Sequence, residues 1–329
     1  MDNLSDTIIA VENTAAPTVT IVLVPRERFS RTPAVLNTLY ANTDYPFELV
    51  CIDGNSPPVL RDYLVRQANQ QDFRLVRTEH FLSPNQARNL GLQYVGTDYV
   101  VFIDNDCEVA PGWLSALIRC AMETGAAAVA PLYFEGSPEN QQIHMAGGTA
   151  GITMVNGNRI YKANYFHEHS DYDTVRDEIF RTEIEIFEFH CVLLSTTMLN
   201  RVGPPDEGLL SAFEHDDLSL RLREAEGSIF LEPDAKVTYT FGSLNSSDAA
   251  FAKVRWSHDW NCRTISHFRD KWGLDESWGR PSIDWCNNHR RRILRETRTL
   301  PYMTRKALKN AMLIILGRQR FDAVRALRG

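Results

Sequence analysis

The sequence predicts an α/β fold built on a mostly parallel, doubly wound sheet, and three observations predict it. Short, β-branched apolar runs alternate with helix-forming stretches over about the first hundred residues. Each run stops at a turn rich in Pro, Asp, Gly or Asn. The run Tyr99 to Ile103 is continuously apolar after its first residue, as in a strand covered on both faces, and Asp104 and Asp106 follow at its carboxyl end.

In chain order, Val19 to Val24 reads as a strand that ends at Pro25-Arg26. Thr32 is expected to cap a helix with Pro33 in its first turn and Val35, Leu36, Leu39 and Tyr40 as the inward stripe. Phe47 to Ile52 is the second strand, ending in Asp53-Gly54-Asn55-Ser56, and a second Pro-opened helix follows through Val59, Leu60, Tyr63 and Leu64. Phe73 to Val76 is a weaker third strand. Ser83-Pro84-Asn85-Gln86 has the spacing of a capping box, and its helix continues through Ala87, Leu90 and Tyr94. Beyond the central strand, a helix opens at Pro111-Gly112-Trp113, and Ala126 to Leu132 is another strand. The Gly- and Asn-rich stretch from Ile143 to Asn158 is expected to form turns over the crevice, and Tyr165 to Thr182 a mobile polar loop whose His167 and His169 have no metal-ligand spacing. Phe189 to Leu194 is strand-like, and Leu218, Leu222 and Ala225 set a helical stripe that puts Glu214-His215-Asp216-Asp217 at a helix N-terminus, where the helix dipole favours acids.

A chain of 329 residues with 43% hydrophobic and 23% charged residues is an ordinary globular protein, which excludes disordered and fibrous classes. Six scattered cysteines without a Cys-x-x-Cys pair read as buried free thiols in a reducing compartment. The N-terminal segment lacks the order of a secretion signal and no window is apolar enough to span a membrane, so a cytoplasmic location is expected. Charge is unevenly spread: from Asp284 onward there are 12 Lys or Arg against 3 Asp or Glu, which leaves about −16 on the preceding residues.

Pro25-Arg26, Asp53 and Asp104/Asp106 all fall just past strand ends, and right-handed crossovers place those ends on one edge of a parallel sheet, where ligands bind. Two carboxylates one residue apart suit a hard divalent cation that also carries phosphate oxygens. Neither Gly-x-Gly-x-x-Gly after the first strand nor a Walker loop occurs, so a bound nucleotide is held by acids and a metal rather than by a glycine cradle. A solvated acidic turn and a dipole-stabilised helix start are the plain structural readings of the two acidic landmarks.

Taken together in this order, the opening strand ending at Pro25, Asp53-Gly54-Asn55-Ser56, Gln86-Ala87-Arg88-Asn89-Leu90-Gly91, Asp104-Asn105-Asp106, Gly203-Pro204-Pro205-Asp206-Glu207, Glu214-His215-Asp216-Asp217-Leu218 and Glu232-Pro233-Asp234 resemble the family 2 glycosyltransferases. The resemblance runs from Thr18 to about Gly242. It implies the GT-A fold, a Rossmann-like central sheet with helices on both faces, over residues 18–250, after a tail at 1–17 and before a helical, basic C-terminal extension at 251–329. It further implies transfer of a sugar, with inversion, from a nucleotide-sugar donor, a UDP-sugar foremost, to an acceptor hydroxyl. Pro25, Arg26, Asp53, Arg88, Asn89, Asp104 and Asn105 would bind the donor, and Asp104 and Asp106 would hold Mn²⁺ or Mg²⁺ on the diphosphate. The general base would come from Glu214, His215 or Asp216; His215 stands where relatives commonly carry Asp. Where many relatives place a further His after the Glu-Pro-Asp segment, this chain has Tyr239.

His144, Gly147, Gly148, Asp217, Trp256 and Trp260 are the expected acceptor-side or loop residues, the two indoles sharing a face if Arg255 to Asn261 is one helix. A glycan, a lipid-linked molecule or a small molecule are the acceptor classes, and no nucleic acid is expected. The stripe Ala307, Leu308, Ala311, Met312, Ile315 beside Arg305, Lys306 and Lys309 is expected to pack on the acidic domain or a second subunit, a homodimer, with peripheral membrane contact as the alternative. Two other functions fit the fold: a nucleotidyltransferase, which would need a glycine that Val24-Pro25-Arg26-Glu27-Arg28 lacks, and a non-catalytic sugar-binding module.

Overall fold

The computed structural model describes residues 16–26, 28–139, 141–240 and 244–296. Its first half is a βα series: β1 (Val19–Val24), α1 (Thr32–Asn42), β2 (Glu48–Gly54), α2 (Pro58–Gln71), β3 (Arg74–Thr78), α3 (Pro84–Leu92) and β4 (Tyr99–Asp104). The four strands pair in parallel in the order β3-β2-β1-β4, with Val24 opposite Asp104 and Asp53 opposite Arg77. All of β1 and Val100 to Asp104 of β4 are buried, as continuous apolar runs demand. The capping box forms: Ser83 Oγ accepts from the Gln86 amide at 3.3 Å, and Gln86 Oε1 accepts from the Ser83 amide at 2.9 Å. Gly91 lets α3 lie directly on β1, for a Cβ there would meet Val22 Cγ1 at 2.3 Å.

The second half continues with β5 (Cys107–Val109), α4 (Trp113–Thr124), β6 (Ala128–Glu135), β7 (Gln142–Met145), β8 (Gly148–Val155), β9 (Asn158–Tyr165), α5 (Tyr172–Val175), β10 (Thr182–Ile184), β11 (Cys191–Ser195), α6 (Thr196–Val202), α7 (Glu214–Glu224), β12 (Ile229–Tyr239), α8 (Ala249–Arg255), α9 (His258–Lys271) and α10 (Arg280–Glu296). The sheet path runs β10-β12-β6-β11-β4-β1-β2-β3. β11 enters antiparallel to both β4 and β6, so its start, not its end, lies at the carboxyl edge of β4. β12 runs parallel to β6 and brings Tyr239 to that edge, opposite Glu135. The main core spans both halves, and Phe268 and Leu274 join it from beyond residue 250. Phe251 stacks among Phe29 and Phe81, tying α8 to the loop after β1.

Five local expectations are corrected. Thr32 is the first residue of α1, not its cap, and its hydroxyl accepts from Asn105 Nδ2 at 3.0 Å instead. The helix expected to reach Tyr94 ends at Leu92, and the Tyr94 amide bonds back to the Gly91 carbonyl. Ile143 to Asn158 does not form turns over the crevice: β7 and the β8–β9 hairpin occupy it, and Asn156 and Gly157, at φ 50° and 83°, make the two-residue turn that matches strand twist. The stretch after Tyr165 is not loop throughout: α5 lies within it, and Phe166 N bonds to Gly147 O (2.9 Å) and His169 N to Ile143 O (2.8 Å). Trp256 and Trp260 do not share a helix face, because Ser257 separates α8 from α9 and caps the latter by accepting from the Trp260 amide at 3.2 Å. The stripe from Arg305 to Ile315 and residues 1–15 lie outside the described residues. All six cysteines are free thiols, and no described helix is long and apolar enough to cross a membrane.

Asp206 anchors α9 to the 203–208 loop through Lys271 Nζ at 2.7 Å and His267 Nε2 at 3.1 Å. Partial burial raises its pKa, but Lys271, His267 and the Gly208 amide outweigh that and hold the carboxyl well below its ordinary range. A depressed carboxylate stabilises the fold above its unfolded pKa and loses that contribution as pH falls. Asp206→Asn is therefore expected to cost about 1 kcal/mol at pH 7, after solvent screening, and progressively less as pH falls below the ordinary carboxylate range, measured by denaturant unfolding across an acid pH series.

Candidate active site

Several strand ends at the carboxyl edge contribute charged groups. Asp104 closes β4 fully buried, and burial alone would raise its pKa. Cations reverse the sign: Arg88 Nη2 lies 3.0 Å from Oδ1 and Arg26 Nε 3.4 Å from Oδ2, and with His190 they hold the carboxyl below its usual range. Arg88 is itself wholly buried, its guanidinium over the Phe189 ring at 3.8 Å and bonded to Asn85 Oδ1 at 2.9 Å. Burial lowers its pKa to about 10, which leaves it charged at neutral pH. Asp106 Oδ2 meets Arg28 Nη1 at 3.2 Å, and the same nitrogen donates to the Tyr239 hydroxyl at 3.1 Å. Asn105, between the two acids, is a brace: it accepts from the Arg26 amide at 2.8 Å and so fixes the loop after β1 to the end of β4.

Asp53 ends β2, where Oδ1 accepts from the Ser56 amide at 2.8 Å and Oδ2 pairs with Arg77 Nη1 at 2.5 Å. The sequence reading missed Arg77, since only the parallel register places it opposite Asp53. Pro25 is buried against the same end, 3.2 Å from where a Gly54 Cβ would sit. Asn89 is not brought to this group: its amide donates to Pro205 O and Glu207 Oε1, both at 2.9 Å.

The third component is the start of α7. Phe213 precedes it in the left-handed region at φ 63°, stacked on Phe268 at 4.9 Å. Glu214 reaches back to Arg26 Nη1 at 3.1 Å and so links α7 to Asp104 through one guanidinium. Burial raises the Glu214 pKa, and Arg26, Arg255 and Arg88 more than reverse the shift. Asp216 accepts from the Tyr161 hydroxyl at 2.6 Å and faces His215 Nε2 at 3.2 Å; burial keeps its pKa raised. Asp217 is pinned by Arg221 (2.9 Å), Lys271 (2.8 Å) and the Trp272 indole N–H (3.0 Å), which occupies it structurally. Of the four, His215 keeps a partly exposed ring, 16% against 4% or less for Asp216, Glu214 and Asp217.

Beside Asp104 runs a chain of imidazoles and carboxylates that sequence reading also missed. His190 Nε2 meets Glu188 Oε2 at 2.9 Å, His144 Nε2 meets the same oxygen at 3.2 Å, and His144 Nδ1 meets Glu135 Oε2 at 3.1 Å. His169 closes the chain on Glu135 Oε1 at 2.9 Å. Burial would lower the His144 pKa, yet Glu188 and Glu135 on either side push it up to about 10. Gly147 and Gly148 are packing positions: side chains there would meet Ile184 and the Asn164 carbonyl. Trp256 lies in a separate small cluster with Leu244, Ala252 and Cys286, against Trp285 and His289.

The chemistry of the residues around His190, with Asp106 and Asp104 on either side, suits a divalent cation. Asp104 Oδ2 and His190 Nδ1 are buried, face each other at 3.4 Å and lack hydrogen-bond geometry to any described partner. Asp106, Cys107 and His190 offer ligand atoms within 4.8 Å of one another, a group that Asp104 adjoins through His190 rather than belongs to, and hard carboxylate oxygens are the donors Mg²⁺ and Mn²⁺ prefer.

Residues 20–200 match the family model described as glycosyl transferase family 2. The chain belongs to that family. This family 2 member is 27% identical over 194 residues to the pre-mycofactocin glycosyltransferase of Mycobacterium tuberculosis, a match that takes in 58% of the chain and 37% of the relative. It thus spans well under two thirds of the curated relatives it matches. Among solved structures, the mannosyltransferase PcManGT from Pyrobaculum calidifontis in complex with GDP-Man and Mn²⁺ superposes with a TM-score of 0.52 at 15% identity, covering 92% of this chain and 81% of that one. GalNAc-T7 with UDP, GalNAc and Mn²⁺ gives 0.54 at 15% identity, covering 79% and 56%. Likeness at that identity establishes the GT-A fold of the family 2 domain.

Proposed function

We propose that this chain transfers a sugar from a nucleotide-sugar donor, with UDP-sugars the class to test first, to an acceptor hydroxyl with inversion at the anomeric carbon. What carries the reading is the convergence of Asp53, Asp104, Asp106 and the start of α7 on one sheet edge, with Arg26 linking Asp104 to Glu214. Asp53, held by Arg77 and the Ser56 amide, presents a fixed acceptor-rich edge to the base and ribose. Asp104 and Asp106 would hold a divalent cation, Mn²⁺ or Mg²⁺, which when bound supplies Lewis-acid stabilisation of charge growing on the departing diphosphate. Arg26 and Arg28, already paired to those acids, keep the site near charge balance and can turn toward the phosphates.

His215 then takes the proton of the acceptor hydroxyl as its oxygen bonds to the anomeric carbon from the face opposite the diphosphate. Asp216 orients the imidazole and stabilises the imidazolium. Glu214 is a poorer base because Arg26 stabilises its anion. The acceptor class is a glycan, a lipid-linked or a small molecule, and the extension after residue 250 is proposed to shape its side of the crevice.

Calorimetric titration of UDP, GDP and CDP, each with and without Mn²⁺, tests the donor site. Metal-dependent UDP binding is the expected result; no nucleotide binding under any condition removes the basis of the transferase reading. Arg77→Leu is expected to raise the nucleotide Kd by about tenfold without moving the Mn²⁺ requirement, since it frees Asp53 from its register partner.

A further inference from the structure

Resting on the metal-assisted reading, we propose that His190 is the imidazole ligand of the Asp104/Asp106 cation, binding through Nδ1, and that Glu188 fixes that tautomer by accepting the Nε2 proton. The topology places it. Because β11 runs antiparallel to β4, the residue before β11 lies beside the last residue of β4, and the Asp104 amide donates to the His190 carbonyl at 3.0 Å. A parallel strand here would have put His190 at the opposite edge, away from the acids.

The atoms meet the geometric requirement. Asp104 Oδ2 and His190 Nδ1 are 3.4 Å apart, neither with a hydrogen bond among the described residues, although Arg26 Nε balances charge 3.4 Å from the same oxygen. Two ligands on one ion, with bonds of about 2.1 Å, are spaced about 3.0 to 3.4 Å. His190 is 8% exposed, so Nδ1 has no water-facing alternative. Cys107 stands in the same group, but a thiol is a soft donor that suits Mn²⁺ and Mg²⁺ poorly, which leaves the imidazole as the better match beside the carboxylates.

An outer shell orients the ring. Nε2 meets Glu188 Oε2 at 2.9 Å, and Glu188 is in turn held by His144 at 3.2 Å. A carboxylate on the far nitrogen is the arrangement that orients ligating histidines and raises their basicity. Tyr239 stacks on the ring with centroids 4.3 Å apart and planes 14° from parallel, so the imidazole plane is set from its face as well. A nitrogen ligand among carboxylates favours Mn²⁺ over Mg²⁺.

Pulsed electron paramagnetic resonance of Mn²⁺ bound to the full chain with UDP tests this directly. Wild type is expected to show the ¹⁴N coupling of a directly bound imidazole. His190→Gln should lose it and weaken Mn²⁺ binding about 10- to 100-fold, with a smaller loss for Mg²⁺. Glu188→Gln should keep the coupling and weaken Mn²⁺ about tenfold. Bound Mn²⁺ without nitrogen coupling in wild type, or coupling that survives in His190→Gln, overturns the assignment while the donor reading stands. Wild type that binds UDP but takes up no Mn²⁺ overturns both the assignment and metal assistance.

Discussion

Asp106→Asn is expected to lower kcat for sugar transfer by about 10³-fold or more and to abolish the metal dependence of nucleotide binding. The substitution keeps the volume and an oxygen that Arg28 can meet at the 3.2 Å contact, so Arg28 and its bond to Tyr239 stay in place. What it removes is one negative charge from the cation site. A leaving diphosphate without its Lewis acid loses several kcal/mol of transition-state stabilisation, and each 1.4 kcal/mol is about a factor of ten. Steady-state kinetics with Mn²⁺ titrated from zero, beside calorimetry of UDP, checks it. Activity within about tenfold of wild type would transfer the neutralising role to Arg26 and Arg28 and sink the metal assignment.

His215→Ala is expected to lower kcat by about 10²- to 10⁴-fold, the range of a positioned general base, while leaving UDP and Mn²⁺ binding unchanged. The separation of kcat from donor binding is the informative part. His215 touches Asp216 and neither Asp104 nor Asp106, so its loss should not disturb the donor. His215→Asp should recover part of the rate, because a carboxylate there restores a base. Glu214→Gln, by contrast, breaks the pairing with Arg26 and should weaken donor binding together with rate. If His215→Ala keeps its activity and Glu214→Gln loses it without a change in donor affinity, the proton goes to Glu214.

Much of this was legible in the chain itself because it is local. The parallel half follows from apolar runs and their punctuation, the capping box of α3 from four residues, and the positions of Asp53, Asp104 and Asp106 from their places just past strands. The helix start at Glu214 followed from the stripe behind it. The β8–β9 hairpin was written in Asn156-Gly157, and the glycines and asparagines around it masked the signal. Trp256 and Trp260 were misjudged because four-residue spacing implies one face only if the helix is unbroken, and Ser257 breaks it.

Pairing across long separations was not legible. Arg77 reaches Asp53 by strand register, Arg88 reaches Asp104 by the packing of α3 on β1 through Gly91, and His190 reaches Asp104 because β11 runs antiparallel. A strand's direction and register depend on partners tens of residues away, and the same local pattern suits either direction. The sequence therefore determined which residues carry charge at strand ends. The tertiary structure alone decided which of those charges meet, since burial forces each carboxylate onto whatever cation the topology brings within reach.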